Sequence, residues 1–278
     1  MKSRDVVLVV SFILTSLLQS FVYGFDVGWL KYGSPKYSLW QNRISKSNTK
    51  LYSTPKVDPN VEIFSHIKFS ILGGGAFSLA MARVLSYKNI SCNLLVRSES
   101  VAQYINENHY HPKYLTDSLL PSQLRATSDP AIALNGTNYI IHAVPMQQSR
   151  EFLGSIKHLI LPKVPILSVT KGVELGTFSL MNDIFNETIG PNNPTAFLSG
   201  PSFAKEIMDG EATAVVIASE YDSLAKELAE ILSSVEFRCH TSRDVTGIEL
   251  GGAIKNVIAL AAGMCEGLDL GMYTYSSI

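Results

Sequence analysis

The stretch that decides the fold is ILGGGAFSLAMAR, residues 71–83, in which an apolar run leads into three glycines and then into a helical pattern. The run that ends at Leu72 contains β-branched and aromatic residues, which predicts a strand, and residues 79–85 continue at helical spacing. Gly73 permits a tight bend, and Gly75 lets a diphosphate group approach the backbone where the helix begins. This order of strand, glycine turn and helix is typical of dinucleotide-binding proteins.

The glycine pattern G-x-G-x-x-G is incomplete, because Ser78 stands where the third glycine is expected. That glycine normally lets the helix pack closely against the strand, so we expect a slightly larger separation here. Taken alone, the motif also fits a glycine-rich turn that binds no ligand. The remainder of the chain therefore has to distinguish the two interpretations.

The composition of the chain excludes several classes of protein. Its 278 residues are 46% hydrophobic and carry a formal net charge of −1, as in a globular α/β protein. We expect no nucleic-acid partner, because the body of the sequence lacks a cluster of basic residues with interleaved aromatics. The cysteines are few, odd in number and widely spaced, which argues against a disulfide framework or a zinc site and indicates a reducing compartment. They are Cys92, Cys239 and Cys265.

The first 24 residues have the pattern of a signal peptide. Lys2 and Arg4 precede an apolar run over residues 6–18, and residues 22–24 fit the positions before a signal-peptidase site. An uncleaved membrane anchor is the alternative, but a spanning helix needs about 20 apolar residues. We therefore predict cleavage after Gly24 and no membrane attachment of the mature chain.

Residues 25–57 have the composition of a transit peptide, since they are basic, rich in hydroxyl groups and contain Asp26 as their single acid. A signal peptide followed by such a segment resembles the bipartite plastid-targeting leaders of algae with secondary plastids. The resemblance predicts a plastid location. A secreted protein with a basic linker is the alternative.

Beyond the glycine turn, apolar runs alternate with helical patterns, which predicts a parallel doubly wound α/β sheet. The further predicted strands are residues 92–96, 138–144, 164–169, 195–199 and 212–218. The predicted helices include residues 101–108, 180–187, 223–232 and 245–267. Residues 114–125 read as a loop because prolines flank and interrupt them. In such a sheet the ligand lies at the carboxyl ends of the strands.

Candidate functional residues follow several of these strands. Arg97 stands where a site selective for NAD carries an acidic residue that binds the ribose hydroxyls. An arginine there can instead bind the 2′-phosphate of NADPH, so the site admits NADPH. The alternative is that Arg97 is a solvated surface residue. Lys171 directly follows a buried strand. After another strand comes Gly200, with Pro201 predicted at the first helical position. Lys255 lies in a helix of small and apolar residues, where it either snorkels to water or is desolvated, which would lower its pKa and make it a proton donor.

Taken together, these stretches resemble the glycerol-3-phosphate dehydrogenases, and among them the plastid and bacterial type. The resemblance is carried by five ordered motifs over residues 67–271. They read GGGAFSLAMA, HAVP, SVTKGVE, LSGPSFAKEI and VTGIELGGAIKNVIALAAGMCEGLDLG. It implies reduction of dihydroxyacetone phosphate by NADH or NADPH to sn-glycerol 3-phosphate, the glycerolipid precursor, and the reverse reaction. A homodimer is the implied assembly.

The resemblance also implies roles for individual residues. The cofactor-binding residues would be Gly73, Gly75, Ala76, Phe77, Ser78, Arg97, Lys171 and Ala204. The substrate would contact Lys171, Gly200, Ser202 and Lys255. Lys255 would be the general acid and base, and Lys171 a second cation that polarises the carbonyl oxygen. No metal is implied.

The resemblance predicts a domain order as well. Residues 67–243 would form the NAD(P)-binding Rossmann domain, and residues 244–278 the start of a truncated helical substrate domain, because residues 272–278 no longer resemble the family. We expect such a chain to lack the phosphate clamp of the family. An active dehydrogenase and an inactive dinucleotide-binding chain that pairs with a full-length copy are the two hypotheses.

Overall fold

The computed structural model describes residue 64 and residues 66–268. The predicted signal peptide and transit segment, and residues 272–278, lie outside the described residues. The chain divides into two units, one of which comprises Pro55–Val257, whereas the residues from Ile258 onward belong to the other. All the site residues predicted from the sequence lie in the first unit.

Strands and helices alternate along the described residues. The strands are β1 (Lys68–Leu72), β2 (Ser91–Leu95), β3 (Leu124–Thr127), β4 (Tyr139–His142), β5 (Ile166–Ser168), β6 (Thr195–Ser199), β7 (Thr213–Ala218) and β8 (Phe237–Ser242). The α-helices are α1 (Ala76–Ser86), α2 (Glu99–Asn108), α3 (Pro130–Leu134), α4 (Met146–Ile156), α5 (Met181–Thr188), α6 (Ala204–Met208), α7 (Asp222–Leu232) and α8 (Val245–Gly267). A short 3₁₀ turn, Lys157–Leu159, follows α4.

The strands form one sheet in the order β3-β2-β1-β4-β5-β6-β7-β8. Its first six members have the order of the doubly wound dinucleotide-binding fold, so the strand order reverses beside β1, where the glycine turn lies. The pairing is parallel except between β6 and β7, which run antiparallel. The predicted Rossmann-type α/β fold, followed by a long helix, is confirmed, although the sheet is not parallel throughout.

Two strands were missing from the sequence prediction. The structure places β3 across the end of the predicted loop, and it adds β8 after α7. Both are edge strands with few buried residues. In β3, Leu124 and Ala126 are buried while Arg125 is exposed, and in β8 only Phe237 is buried. Their few apolar residues do not form the continuous run that marks a strand buried on both faces.

The core consists of two apolar clusters, one on each face of the sheet. Neighbouring residues of one strand point to opposite faces, so Ile140 and Ile141 enter different clusters, as do Phe197 and Leu198. One cluster contains side chains of α1 and α7, and the other those of α4 and α5. Each large apolar side chain buried in this way contributes about 1.5–3 kcal/mol.

The last described helix, α8, is long and apolar enough to cross a membrane by length and composition alone. The core helix of a globular protein passes the same test, so length and composition do not decide whether α8 is a membrane-spanning helix or a core helix. The absence of membrane attachment stays a prediction.

Candidate functional site

The glycine turn between β1 and α1 has the backbone shape that the sequence predicted. Gly73 has φ +112°, and a Cβ there would lie 2.7 Å from the carbonyl oxygen of Ala143. Gly75 is the residue before α1, with φ −82° and ψ 172°, and a Cβ there would have no atom within 4 Å. Gly73 is therefore required by the fold, whereas Gly75 leaves open space above the turn.

The start of α1 offers several unpaired donors. Within the part of the chain that the structure describes, the N–H groups of Gly75, Ala76 and Phe77 donate to no backbone acceptor, and the first turn contains no acid. The Ser78 hydroxyl beside them is buried and has no hydrogen-bond partner among the described residues. Free N–H groups at the positive end of a helix, over a surface without a Cβ, fit the diphosphate of a dinucleotide.

Arg97 lies just beyond the carboxyl end of β2, the strand beside β1, and is exposed. Its guanidinium forms no hydrogen bond or ion pair with another described residue. The helix that follows begins at Glu99, one residue after Ser98, whose hydroxyl bonds with that of Ser100 at 2.7 Å. Arg97 thus lies at the strand end where the ribose of a dinucleotide is held in this fold.

Two lysines converge at the carboxyl edge of the sheet. Lys171 follows β5, and its Nζ lies 3.4 Å from the carbonyl oxygen of Gly200 and 5.7 Å from the ring centroid of Phe77. Lys255 projects from α8, and its Nζ lies 5.3 Å from the ring centroid of Phe203. Burial and repulsion from the Lys255 ammonium lower the pKa of Lys171 to about 8.

The segment after β6 brings the remaining predicted substrate residues to the same edge. Gly200 has φ +153°, and a Cβ there would lie 2.9 Å from the carbonyl oxygen of Ala214, so close packing against β7 requires glycine. Ser202 is buried, and its hydroxyl donates to the carbonyl oxygen of Gly200 at 3.4 Å. Pro201 is not the first helical residue as predicted, because α6 begins at Ala204. The intervening residues bend around Gly200 instead.

Helix α8 packs closely against Lys171 at a second glycine, Gly252. A Cβ on Gly252 would lie 2.9 Å from the Ser199 hydroxyl and 3.4 Å from Cγ of Lys171. One turn earlier, the Glu249 carboxylate accepts a hydrogen bond from the Asn182 N–H at 3.2 Å, while its Oε2 is buried without a partner among the described residues. Burial raises the pKa of Glu249 to about 7. The two residues adjoin a cavity of about 10 Å³ that also contacts Lys171.

The strand end that precedes Lys171 is held by a buried histidine. Nδ1 of His142 lies 3.1 Å from the Thr170 hydroxyl, which also donates to the carbonyl oxygen of Val144 at 2.8 Å. The ring is fully buried and packs edge-on against Phe185. Burial lowers the pKa of His142 to about 3, so the ring is neutral at physiological pH.

Two protein-family sequence models match the chain. The model of the N-terminus of NAD-dependent glycerol-3-phosphate dehydrogenases matches residues 68–225, and the model of their C-terminus matches residues 244–278. The first match alone covers more than half of the chain. The chain belongs to the glycerol-3-phosphate dehydrogenase family. The family predicted from the five motifs is therefore confirmed, together with its cofactor class, NAD or NADP.

Relatives of the chain include plastid and bacterial members of this family. The chain is 43% identical over 207 residues to the chloroplastic glycerol-3-phosphate dehydrogenase 2 of Arabidopsis thaliana, which covers 73% of the chain and 49% of the relative. It is 39% identical over 214 residues to the NAD(P)-dependent enzyme of Leptospira biflexa, covering 76% and 64%. The crystal structure of the Coxiella burnetii dehydrogenase superposes with a TM-score of 0.70 at 31% identity, again covering 76% and 64%. The chain thus spans about half to two thirds of these family members.

Sequence reasoning missed one residue of the site region, Glu249. Glu249 lies inside one of the quoted motifs, and its position on the face of α8 that also carries Gly252 was a usable signal.

Proposed function

We propose that the chain carries the dinucleotide site and the lysine pair of an NAD(P)-dependent glycerol-3-phosphate dehydrogenase, which interconverts dihydroxyacetone phosphate and sn-glycerol 3-phosphate. The observation that carries the proposal is the juxtaposition of Lys171 and Lys255 beside the glycine turn. Burial and the nearby Lys255 charge lower the pKa of Lys171. Neither lysine forms an ion pair with a carboxylate among the described residues.

Two cations that have no anionic partner in the part of the chain that the structure describes form a site for an anionic ligand. Bringing like charges together at a partly buried position is unfavourable, and a bound phosphate or a developing alkoxide relieves the repulsion. Dihydroxyacetone phosphate supplies both, since it carries a phosphate group and a carbonyl oxygen that becomes an alkoxide on reduction. A neutral substrate would leave the repulsion between Lys171 and Lys255 uncompensated.

The protein residues divide the remaining tasks between them. The N–H groups of Gly75, Ala76 and Phe77 hold the diphosphate of the cofactor, which supplies the hydride when bound. Lys171 polarises the substrate carbonyl oxygen, and Lys255 gives a proton to that oxygen as negative charge develops on it. In the reverse direction the same lysine accepts the proton of the alcohol. The pKa of Lys171, lowered to about 8, indicates that this lysine can exchange a proton near neutral pH.

Arg97 supports the use of NADPH as well as NADH. Its exposed guanidinium lies at the end of β2 without a partner among the described residues, and a guanidinium binds a phosphate monoester through charge-assisted hydrogen bonds. Ala204, at the start of α6, would contact the cofactor from the opposite side, because α6 packs against α1. Gly200 and Ser202 would line the substrate.

We extend the proposal to a plastid enzyme that supplies glycerol 3-phosphate for glycerolipid synthesis. Its support is the leader composition of residues 1–57 and the chloroplastic relatives. A fluorescent reporter fused to residues 1–57 should enter the plastid, and secretion of the reporter would contradict the address. Self-association into a dimer, also proposed from the resemblance, is measured by sedimentation equilibrium.

The test of the activity separates binding from turnover. The chain is titrated with NADH and NADPH by calorimetry, and the same sample is assayed for dihydroxyacetone phosphate reduction. Lys171→Met and Lys255→Met should each abolish turnover, whereas Lys226→Met, which removes an exposed lysine paired with Asp222, should not. Turnover that survives both substitutions at the site would overturn the proposed roles.

A dinucleotide-binding chain without turnover is the second candidate function. It is favoured by exposed apolar side chains on the last turns of α8, where Leu260 and Met264 are each 64% exposed. An apolar helix face of this kind is typical of an interaction surface. This candidate would be supported, and the first contradicted, if the chain binds the cofactor without turnover and if turnover appears when a full-length family member is added.

A further inference from the structure

The segment that follows Lys171, residues 172–179, folds back on itself without forming a helix or a strand. The Glu174 N–H donates to the carbonyl oxygen of Ser179, and the Phe178 N–H donates to that of Glu174, both at 3.0 Å. Because the segment belongs to no regular element, its position relative to the sheet depends on contacts with neighbouring side chains.

Helix α4 holds the segment through the amide of Gln147. Its Nε2 donates to the carbonyl oxygen of Val173, and its Oε1 accepts from the N–H of Leu175, both at 2.9 Å. The amide thus satisfies one backbone acceptor and one backbone donor of an irregular segment. Gly172 packs on the same helix, since a Cβ there would lie 3.6 Å from Cβ of Met146. The contacts with α4 therefore begin one residue after the lysine.

Arg150, three residues further along α4, adds an ionic contact to the same segment. Its Nε lies 2.9 Å from Oε1 of Glu174, and its Nη2 lies 2.8 Å from Oε2. The Thr177 hydroxyl donates to this buried carboxylate at 2.5 Å. Hydrogen bonds from Arg150 and Thr177 lower the pKa of Glu174, so the carboxylate is ionised at neutral pH. The guanidinium also donates to Glu187 of α5.

The Lys171 ammonium occupies a position that is unfavourable for a cation. Burial and the Lys255 ammonium both disfavour its charge, and Glu249, which adjoins the same small cavity, forms no ion pair with it. A lysine side chain has a flexible stem and reaches water easily. The backbone before it is held by the Thr170 hydroxyl, which donates to the carbonyl oxygen of Val144 at 2.8 Å. The backbone after it is held by α4.

We propose that Gln147 and Arg150 are positioning residues of the substrate site. They hold residues 172–179 against α4, and in this way they keep the Lys171 ammonium at the carboxyl edge of the sheet. Neither residue contacts the reacting atoms, because both act through the backbone that follows the lysine. This inference rests on the proposed function only in that Lys171 binds the substrate.

The test follows the protonation of Lys171 by NMR in a chain whose lysines carry ¹³C at Cε. The variant Lys171→Met identifies the signal. The pKa of Lys171 is about 8, whereas a lysine in water has a pKa of about 10.4. Lys255 and Glu249, the titratable residues that face this ammonium among the described residues, both lie on α8 and are unaltered in the variants below. A changed midpoint therefore reports a displacement of Lys171.

The double variant Gln147→Met/Arg150→Met removes both side-chain contacts with the segment and retains good helix formers. We expect the midpoint of Lys171 to rise by at least about one pH unit toward the value in water. The matched control is Gln148→Met/Glu187→Gln, because Gln148 is exposed on the same helix and Glu187 binds the same guanidinium from outside the segment. Its midpoint should equal that of the unaltered chain.

A double variant with a lower Tm but an unchanged midpoint would overturn the inference, since the contacts would then only stabilise the fold. If the double variant does not fold, Glu174→Gln takes its place, because it removes the charge from the segment and keeps the shape of the side chain. An unchanged midpoint in that folded variant would equally overturn the inference.

Calorimetric titration with dihydroxyacetone phosphate distinguishes this inference from the proposed function. The Kd should rise by about tenfold or more in the double variant, as for a lost charge-assisted hydrogen bond, and stay constant in the control. If the unaltered chain binds no dihydroxyacetone phosphate, the proposed function fails, and the midpoint of Lys171 still decides whether Gln147 and Arg150 position it.

Discussion

The two outer glycines of the turn should fail in different ways when each is replaced by alanine. Gly73 has φ +112°, and its Cβ would lie 2.7 Å from a backbone carbonyl oxygen that cannot rotate away. Gly75 has an extended backbone and open space where its Cβ would be. Gly73→Ala should therefore damage the fold, and Gly75→Ala the binding of the dinucleotide.

The magnitudes follow from these contacts. A side chain at a positive φ costs about 1–3 kcal/mol, and an overpacked methyl group costs about 1–3 kcal/mol more. The free energy of unfolding should thus fall by at least about 2 kcal/mol in Gly73→Ala, which lowers the Tm by at least about 4 °C in a domain of this size. For Gly75→Ala we expect a change within about 1 kcal/mol, since the loss of a favourable cap opposes the reduced entropy of the unfolded chain.

The assay pairs thermal unfolding with calorimetric titration of NADH, the latter performed well below the Tm of each variant. Gly75→Ala should raise the Kd at least about tenfold, or about 1.4 kcal/mol, because the methyl group occupies the surface that the diphosphate approaches. An unchanged Kd would refute the placement of the diphosphate over Gly75. An unchanged Tm in Gly73→Ala would refute the close approach of the turn to Ala143.

Four further outcomes test other parts of the site. Arg97→Ala should weaken NADPH binding by about tenfold or more, as expected for a lost charge-assisted hydrogen bond, and NADH binding less; equal losses would show that Arg97 does not contact the 2′-phosphate. Because burial raises the pKa of Glu249 from 4.5 to about 7, its neutral form stabilises the fold at low pH, and this contribution is lost as the pH rises through about 7. The free energy of unfolding of Glu249→Gln should therefore rise relative to that of the unaltered chain between pH 4 and pH 8, by at most about 3 kcal/mol. Urea unfolding of both proteins across this pH range measures the difference. The pKa of His142 is lowered, so its neutral form contributes stability above pH 6.5 that is lost as the pH falls toward 3; His142→Phe should flatten acid unfolding in that window, and an unaltered profile would contradict the buried neutral ring. The affinity for dihydroxyacetone phosphate should fall as the pH rises through about 8, where Lys171 loses its proton, and Lys171→Arg should move that fall to higher pH.

The parts of the fold that the sequence predicted well are those with a strong local pattern. The helix predicted over residues 245–267 is α8 with the same ends, and the predicted strand at residues 195–199 is β6. Edge strand β3 was taken for a loop, because a strand with one solvated face and four residues has too little periodicity to be recognised. The antiparallel pairing of β6 with β7 has no local signature at all.

The residues of the candidate site were likewise predicted where a local pattern marks them, but the contacts between them were not. Gly73 and Gly75 were identified from the sequence because a glycine-rich stretch between a strand and a helix is a local pattern, in which one glycine permits the bend and the other lets a diphosphate approach the backbone. Lys171 was expected at a strand end and Lys255 in an apolar helix, but the sequence did not reveal that their ammonium groups would meet beside Phe77. That meeting requires Gly252, which lets α8 approach the end of β5.

The sequence by itself determined the dinucleotide turn, the alternation of strands and helices and the family, because each depends on the order of neighbouring residues. Only the tertiary structure decided which groups are buried and which atoms face one another. The lowered pKa of Lys171 and the raised pKa of Glu249 both arise chiefly from desolvation by segments far apart in the chain. Such effects have no signature in a local pattern, since they depend on distances that exist only after folding.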